Sequence, residues 1–349
     1  MAEIGYKLSS EEFGPMALVE YASRAERAGF TFALISDHFH PWIDRQGQSP
    51  FVWGVLGAIA HATTTLRVGT AVTCPTIRYH PAIVAQAAAT AAAQMPGRFF
   101  LGVGTGENLN EHVVGRGWPG PDLRLEMLEE AIKVIRLLWE GGEKTQRGRH
   151  FTVESARLYT LPPEPPAIMV AASKRGAAAL AGRAGDAIIN TEPSRKLLDH
   201  FQSNGGSGKP TYVEHTVCWA SSEAKARRIA REIWPLACIP GPLFTELARP
   251  VQFEAALESV TEKQIGEVVV CGPDPARHVD ALRKAARTGY THICVHQIGP
   301  EQEGFIDFYA TEVLPRFVGR SRKERLTARR GEGTARVAAM RRSAGAGRR

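Results

Sequence analysis

Short apolar runs alternate with amphipathic stretches along most of this 349-residue chain, and that alternation limits the possible folds more than any other feature. The runs are residues 4–8, 32–36, 66–73, 99–104, 167–172, 187–191, 212–220 and 292–298. Several are almost continuously apolar, as strands covered on both faces must be. Between them, residues 15–28, 80–94, 123–139, 175–183, 222–234 and 275–288 repeat apolar positions at helical spacing. In 123–139 the stripe is Leu128, Ala131, Ile132, Ile135, Leu138 and Trp139.

Strands that alternate with helices form α/β domains with a parallel sheet. Eight such units are the number that closes a (β/α)8 TIM barrel, a fold of about 250 residues plus insertions. A short run at 268–271, ending in Gly272-Pro273-Asp274-Pro275, reads as a connector. Two connections look inserted. Residues 141–166 carry RHFTV and ARLYTL as arms of a small hairpin, and 240–262 suit helices near the barrel mouth. An open, doubly wound sheet is the alternative arrangement.

The charge is uneven. Of the 43 Lys and Arg and 36 Asp and Glu, 11 and 2 fall in residues 319–349, so that segment carries +9 and the other 318 residues carry −2. The basic segment has few large apolar residues, and disorder is expected there. It reads as a solvated extension, with nucleic-acid contact as the other use of such an arm. The barrel is therefore expected over 1–318 and a basic tail over 319–349. The five cysteines form no CxxC pair, which suits reduced thiols and a cytoplasmic protein. Neither a signal peptide nor an apolar run of membrane length is visible.

Barrel active sites lie at the C-terminal ends of the strands. Three ends gather polar residues: Ser36-Asp37-His38-Phe39-His40-Pro41-Trp42, then Thr73-Cys74-Pro75-Thr76, then Gly104-Thr105-Gly106-Glu107-Asn108-Leu109-Asn110. His38 and Glu107 make a candidate pair for proton transfer facing one cavity. Taken singly, His38 equally suits a strand-end cap and Glu107 a solvated loop carboxylate. Oxidising an alcohol also needs a hydride acceptor, which no side chain supplies, so a cofactor is required. Gly102-Val103-Gly104-Thr105-Gly106 lacks the GxGxxG spacing and serves better as a tight strand-end turn. Ser173-Lys174-Arg175-Gly176-Ala177 opens a helix and is a candidate anion site, or a solvated N-cap. Asp37, His38 and His40 lack a third well-placed ligand, so no metal is expected.

The ordered motifs SDHFHPW, TCPTIRYHPA, RFFLGVGTGENLNEH and AGRAGD resemble the F420-dependent branch of the luciferase-like superfamily, in particular the group related to F420-dependent glucose-6-phosphate dehydrogenase. The resemblance runs from about Ile4 to Val318. It implies a luciferase-like (β/α)8 barrel, a homodimer, and coenzyme F420 lying with its deazaflavin across the barrel mouth. It also implies a non-proline cis peptide near Ala71–Val72. In this family the position of His38 acts on the substrate hydroxyl proton, that of Glu107 on a proton at the deazaflavin, and that of Trp42 shapes the reaction site. Asp37, Val72, Cys74, Thr105, Gly106, Asn110, Ser173, Lys174, Gly176 and Ala177 fall where the family holds its cofactor.

The sugar-phosphate enzymes of this group carry two Lys and one Arg at positions that here align with Ser194, Ala255 and Val268. A dianion without paired cations is strongly disfavoured in a partly dry pocket. Arg195 and Lys196 lie nearby but cannot restore three contacts. Thr191 and Glu192 are candidates to meet a neutral polyol or an amine-bearing substrate. The expected activity is hydride transfer between F420 and a small alcohol or ketone that is not a sugar phosphate. The alternatives are a sugar-phosphate dehydrogenase, an FMN-dependent monooxygenase, and a nucleic-acid-binding protein acting through its tail.

Overall fold

The computed structural model describes residues 1–239 and 241–319. The basic segment expected to be a disordered tail therefore lies, apart from Gly319, outside the described residues. Eleven strands are described: β1 Glu3–Leu8, β2 Phe32–Ile35, β3 Arg67–Thr70, β4 Phe99–Val103, β5 Lys144–Arg147, β6 Thr152–Ala156, β7 Ile168–Ala171, β8 Ala187–Asn190, β9 Thr211–Cys218, β10 Val270–Cys271 and β11 His292–Gln297. The helices are α1 Pro15–Ala28, α2 Val52–Ala62, α3 Pro81–Gln94, α4 Asn108–Glu111, α5 Pro121–Trp139, α6 Arg175–Ala184 and α7 Arg195–Phe201. They continue as α8 Glu223–Ile233, α9 Gly241–Glu246, α10 Pro250–Leu257, α11 Glu262–Val268, α12 Pro275–Thr288, α13 Gln302–Phe308 and α14 Leu314–Phe317. None is long and apolar enough to cross a membrane.

Strands β1, β2, β3, β4, β7, β8, β9 and β11 pair in parallel in that order, and β11 returns to β1, closing the barrel. Each of the eight apolar runs supplies one barrel strand. The run at 268–271 differs from its reading as a connector. Its last two residues form β10, which pairs with the far end of β9 through Val270 with Val217 and Cys271 with Cys218. The hairpin in the first insertion is also displaced, with arms β5 and β6. The Glu130 carboxylate accepts backbone N–H bonds from Arg149, His150 and Phe151, so three of the five residues of RHFTV are spent on the turn. ARLYTL contributes only Ala156. Helix α2 was not anticipated, because it is apolar on most of its circumference. Val52, Val55, Leu56 and Ile59 are its buried positions.

Period-two alternation divides β1 between two environments. Ile4, Tyr6 and Leu8 face the outer core beneath the helices. Gly5 and Lys7 face the barrel interior. A Cβ at Gly5 would lie 2.3 Å from the Phe32 ring, so only glycine leaves room for it. The lower interior is apolar, with Phe32, Leu34, Phe100, Met169, Ile189 and Tyr212 in one cluster. The upper interior, level with Lys7 and above, is charged. A third cluster, including Trp42, Leu109, Leu236, Phe253 and Ile298, lies beneath the second insertion. That insertion carries α9 and α10 to one side of the mouth.

Candidate active site at the barrel mouth

Chain direction carries β2 up to Ser36, Asp37 and His38, and the three side chains part there. His38 is 8% exposed. Its Nδ1 lies 3.3 Å from the carbonyl oxygen of His40 and 3.4 Å from Glu11 Oε1. A carbonyl oxygen can only accept, so Nδ1 bears a proton toward it, and Nε2 is the ring nitrogen left without a partner among the described residues. Glu11, on the segment after β1, also accepts from Ser9 Oγ at 3.1 Å and Ser36 Oγ at 2.9 Å. Burial opposes ionisation of Glu11, but His38, Lys7 and its hydrogen bonds outweigh it and hold the carboxyl below the usual range.

Behind Glu11 the charges continue into the barrel. Lys7 Nζ donates to Glu214 Oε2 at 3.0 Å and to the carbonyl of Ala71 at 3.2 Å. His296 stands between Glu214, 3.5 Å from Nδ1, and Glu12, 3.6 Å from Nε2. Burial alone would lower the His296 pKa, yet these two carboxylates push it up to about 9. Glu214 is held below the ordinary carboxylate range against its own burial by Lys7 and His296. Ser9 Oγ also lies 3.2 Å from Glu12, so its single proton is shared between Glu11 and Glu12 and closes the circuit. Two cations and three carboxylates leave one excess negative charge next to His38.

A second charged cluster braces the ends of β2, β3 and β4. Asp37 accepts from Thr73 Oγ1 at 2.8 Å, Arg78 Nη2 at 2.9 Å and Tyr79 Oη at 3.3 Å. The backbone N–H of Arg78 donates to Glu111 Oε2 at 2.7 Å, and its guanidinium lies over the Tyr79 ring. Burial pushes the Glu111 pKa up to about 7, with Arg78 offsetting only part of it. Both Asp37 oxygens are thus engaged within the protein. Asn110 is used similarly: its Oδ1 accepts from the N–H of Phe39 at 2.9 Å and of His40 at 3.2 Å. Its Nδ2 is buried without a partner among the described residues.

The expected His38–Glu107 pair takes a different form. The two side chains share no hydrogen bond or ion pair, and the carboxylate at His38 is Glu11. Glu107 caps the backbone start of α4, is half-buried, and its carboxylate makes no hydrogen bond or ion pair with the described residues. It stands at the end of β4, with β3 between it and β2. Trp42 is nearly buried, 4.9 Å from His38 between ring centroids in an edge contact.

The other predicted residues spread around the mouth. The peptide Ala71–Val72 is cis, and both residues pack on the interior apolar cluster. Cys74 is buried, its thiol 3.1 Å from Thr76 Oγ1, and burial pushes its pKa well up. A Cβ at Gly106 would meet Cys74 Sγ at 2.7 Å and Glu111 Cγ at 2.9 Å, and φ there is +76°, so both space and backbone require glycine. Thr105 is half-buried beside it. Ser173, Lys174 and Gly176 are exposed and Ala177 half-buried at the start of α6. Lys174 is the N-cap residue, and its side chain makes no capping bond to that helix. Thr191 and Glu192 are exposed after β8. Ser194 caps α7, Ala255 is exposed on α10 and Val268 is 56% exposed, so none of the three places holds a cation. Arg195 pairs with Asp199 and lies toward Gly289, at the corner before β11.

Sequence reasoning missed Glu11, Glu12, Lys7, Glu214 and His296. One signal was present: Lys7 interrupts an apolar strand at an inward position.

A family model described as luciferase-like monooxygenase matches residues 1–292. The chain belongs to this family. Among its relatives, the F420-dependent glucose-6-phosphate dehydrogenase of Beutenbergia cavernae is 34% identical over 335 residues, covering 93% of this chain and 99% of the relative. That of Kribbella flavida is 35% identical over 325 residues, covering 89% and 97%. Among solved structures, an F420-dependent secondary alcohol dehydrogenase in complex with an F420-acetone adduct superposes with TM-score 0.84 at 30% identity, covering 89% of this chain and 98% of that one. A coenzyme F420-dependent tetrahydromethanopterin reductase from Methanopyrus kandleri shares the fold, with TM-score 0.73 at 20% identity over 90% and 99% of the chains. In this luciferase-like protein, the charged interior and the brace both sit at the end of the barrel where α/β barrels place their chemistry.

Proposed function

We propose that this protein is an F420-dependent oxidoreductase that transfers a hydride between coenzyme F420 and a neutral secondary alcohol or its ketone. The observation that carries the reading is His38, buried between Trp42 and the Glu11 carboxylate with Nε2 free, in a chain whose relatives are F420-dependent dehydrogenases. The residues at the mouth fit the coenzyme. The uncapped start of α6, with exposed Lys174 and Arg175, suits an anionic group. The unpartnered Nδ2 of Asn110 is a donor in want of an acceptor, and Gly104-Thr105-Gly106 admits close backbone approach. When bound, the deazaflavin supplies the two-electron acceptor that side chains lack.

In the oxidative direction His38 Nε2 takes the hydroxyl proton as the C–H bond breaks and its electron pair leaves with the hydrogen. The C–O bond becomes C=O. Glu11 and the excess negative charge behind it stabilise the imidazolium that forms, and in the reductive direction the same proton returns to oxygen. Trp42 keeps water from the face of His38. Glu107, whose carboxylate is not engaged by the described residues, holds or releases a proton at the end of β4, two strands round the barrel from His38.

A neutral substrate is supported by Ser194, Ala255 and Val268, which bring no positive charge to the places expected of phosphate ligands. The sugar-phosphate reading is favoured in turn by the names of the 34%-identical relatives. One assay separates them: purified protein is loaded with F420, and its absorbance is followed with secondary alcohols, glucose and glucose 6-phosphate. His38→Ala is expected to lower kcat by about 10²- to 10⁴-fold, the range for a positioned acid–base group, while F420 affinity is retained. An unchanged kcat would remove His38 from the reaction. Flavin copurifying with the protein, with oxygen consumption, would replace the reading by a monooxygenase. Sedimentation would check the homodimer, and fractionation the cytoplasmic location, that we also propose.

A further inference from the structure

The second insertion carries two features that this reaction does not use. Glu246, at the end of α9, is fastened to the α4 side of the mouth. Its carbonyl accepts from Asn108 Nδ2 at 2.9 Å, and its carboxylate from Trp118 Nε1 at 3.0 Å and Arg124 Nη2 at 3.3 Å. Asn108 directly follows Glu107. Two residues before Glu246, Phe244 lies on Trp42 with ring centroids 4.2 Å apart, and Trp42 lies 4.9 Å from His38. Helix α9 therefore packs where α4 meets the segment after β2, touching the residue after Glu107 and the ring that lies on His38. Trp42 and Phe253 are almost wholly buried, whereas Phe244 is only half-buried, so part of its ring is left uncovered by the described residues.

The electrostatics point the same way. Glu11, Glu12 and Glu107 lie around the mouth. The cations beside His38 and Asp37, Lys7 and Arg78, are each consumed by buried carboxylates. An anionic substrate would meet net negative charge. A polyol would leave hydroxyls against aromatic rings, where an unmade hydrogen bond is costly.

We propose that Phe244 is a specificity-determining residue. Seated on Trp42 and backed by Phe253, it gives the chamber beside His38 an apolar wall. The substrate class is a secondary alcohol or ketone with an alkyl or aryl substituent and no anionic group. This rests on the hydride-transfer reading and adds the substrate to it.

Two measurements test it. Calorimetric titration of cyclohexanone into the protein, with and without F420, reads the wall directly. Phe244→Ala is expected to weaken binding about tenfold or more, since even one methylene in an apolar pocket carries roughly that factor, and Phe244→Leu to restore most of it. With F420 present, kcat/KM for 1-phenylethanol and cyclohexanol is expected to exceed that for glucose and glucose 6-phosphate by about 100-fold, the discrimination an apolar pocket makes against an added hydroxyl. Phe244→Ala is expected to raise KM for the larger alcohols with little change in kcat, and to leave 2-propanol almost unaffected. Preference for glucose 6-phosphate, or an unchanged cyclohexanone affinity in Phe244→Ala, overturns the proposal. If no alcohol reacts while cyclohexanone binding still depends on Phe244, the hydride-transfer reading fails and the wall stands. If alcohols react and Phe244→Ala alters neither affinity nor KM, the wall fails and the reading stands.

Discussion

Two buried charge clusters meet at the barrel mouth, and they are built to opposite ends. In the Asp37–Arg78–Glu111 cluster one guanidinium serves two carboxylates, and every Asp37 oxygen has a partner inside the protein. In the cluster behind His38, charges run from Glu12 through His296, Glu214 and Lys7 to Glu11, and stop at an imidazole with one nitrogen free. The first is closed and holds three strand ends together. The second is open at His38, whose Nε2 has no partner among the described residues. A buried ion pair is weak evidence of stability in itself, but removing one partner leaves a charge stranded. The two clusters should therefore fail differently.

The largest effect is expected from Arg78→Met. It strands Asp37 and Glu111, and chemical denaturation is expected to show a loss of about 3–5 kcal/mol. A loss below about 1 kcal/mol would mean that Asp37 and Glu111 protonate or hydrate freely, and that the brace is not one.

Next come two pH windows. Glu111 titrates near 7 in the folded chain against an ordinary 4.5, so the folded state holds a proton that the unfolded state has lost. Its contribution is present below about 4.5 and is lost as pH rises through 7. His296 titrates near 9 against 6.5, so its contribution is complete below about 6.5 and is lost as pH rises through 9. Each window is worth on the order of 3 kcal/mol. Melting temperatures from pH 5 to 10 are expected to fall in both, with Glu111→Gln flattening the lower and His296→Gln the upper. Flattening of both by one variant would mean that the clusters are a single system.

The smallest effect is expected from Arg195→Ala. Its pair with Asp199 is largely exposed, so stability is expected to change by less than about 0.5 kcal/mol. Discrimination against glucose 6-phosphate should not change either. A changed discrimination would return Arg195 to the substrate.

The contrast also shows what a sequence discloses. The eight strands were legible because Phe32–Ile35 or Phe99–Val103 must be apolar whichever face of the barrel wall they meet. His38, Glu107 and Trp42 were legible as residues at strand ends. The partner of His38 was not, because Glu11 is 27 positions away and reaches it only when β1 and β2 lie side by side. Phe244 was hidden for the same reason: nothing local ties it to Trp42. The hairpin shifted because a distant carboxylate, Glu130, fixes its turn. Sequence patterning reports which face a residue needs. It does not report which charges meet behind that face.

Asn110 has one further consequence. Its amide oxygen holds the two N–H groups that follow His38, and it belongs to the same short helix that Glu107 begins. The gap between His38 and Glu107 is thus gauged by one side chain of fixed length. Helix α9 lies outside that gauge, reaching it only through Glu246 at Asn108 and Phe244 at Trp42, so the Asn110 bonds that set the gap do not pass through it.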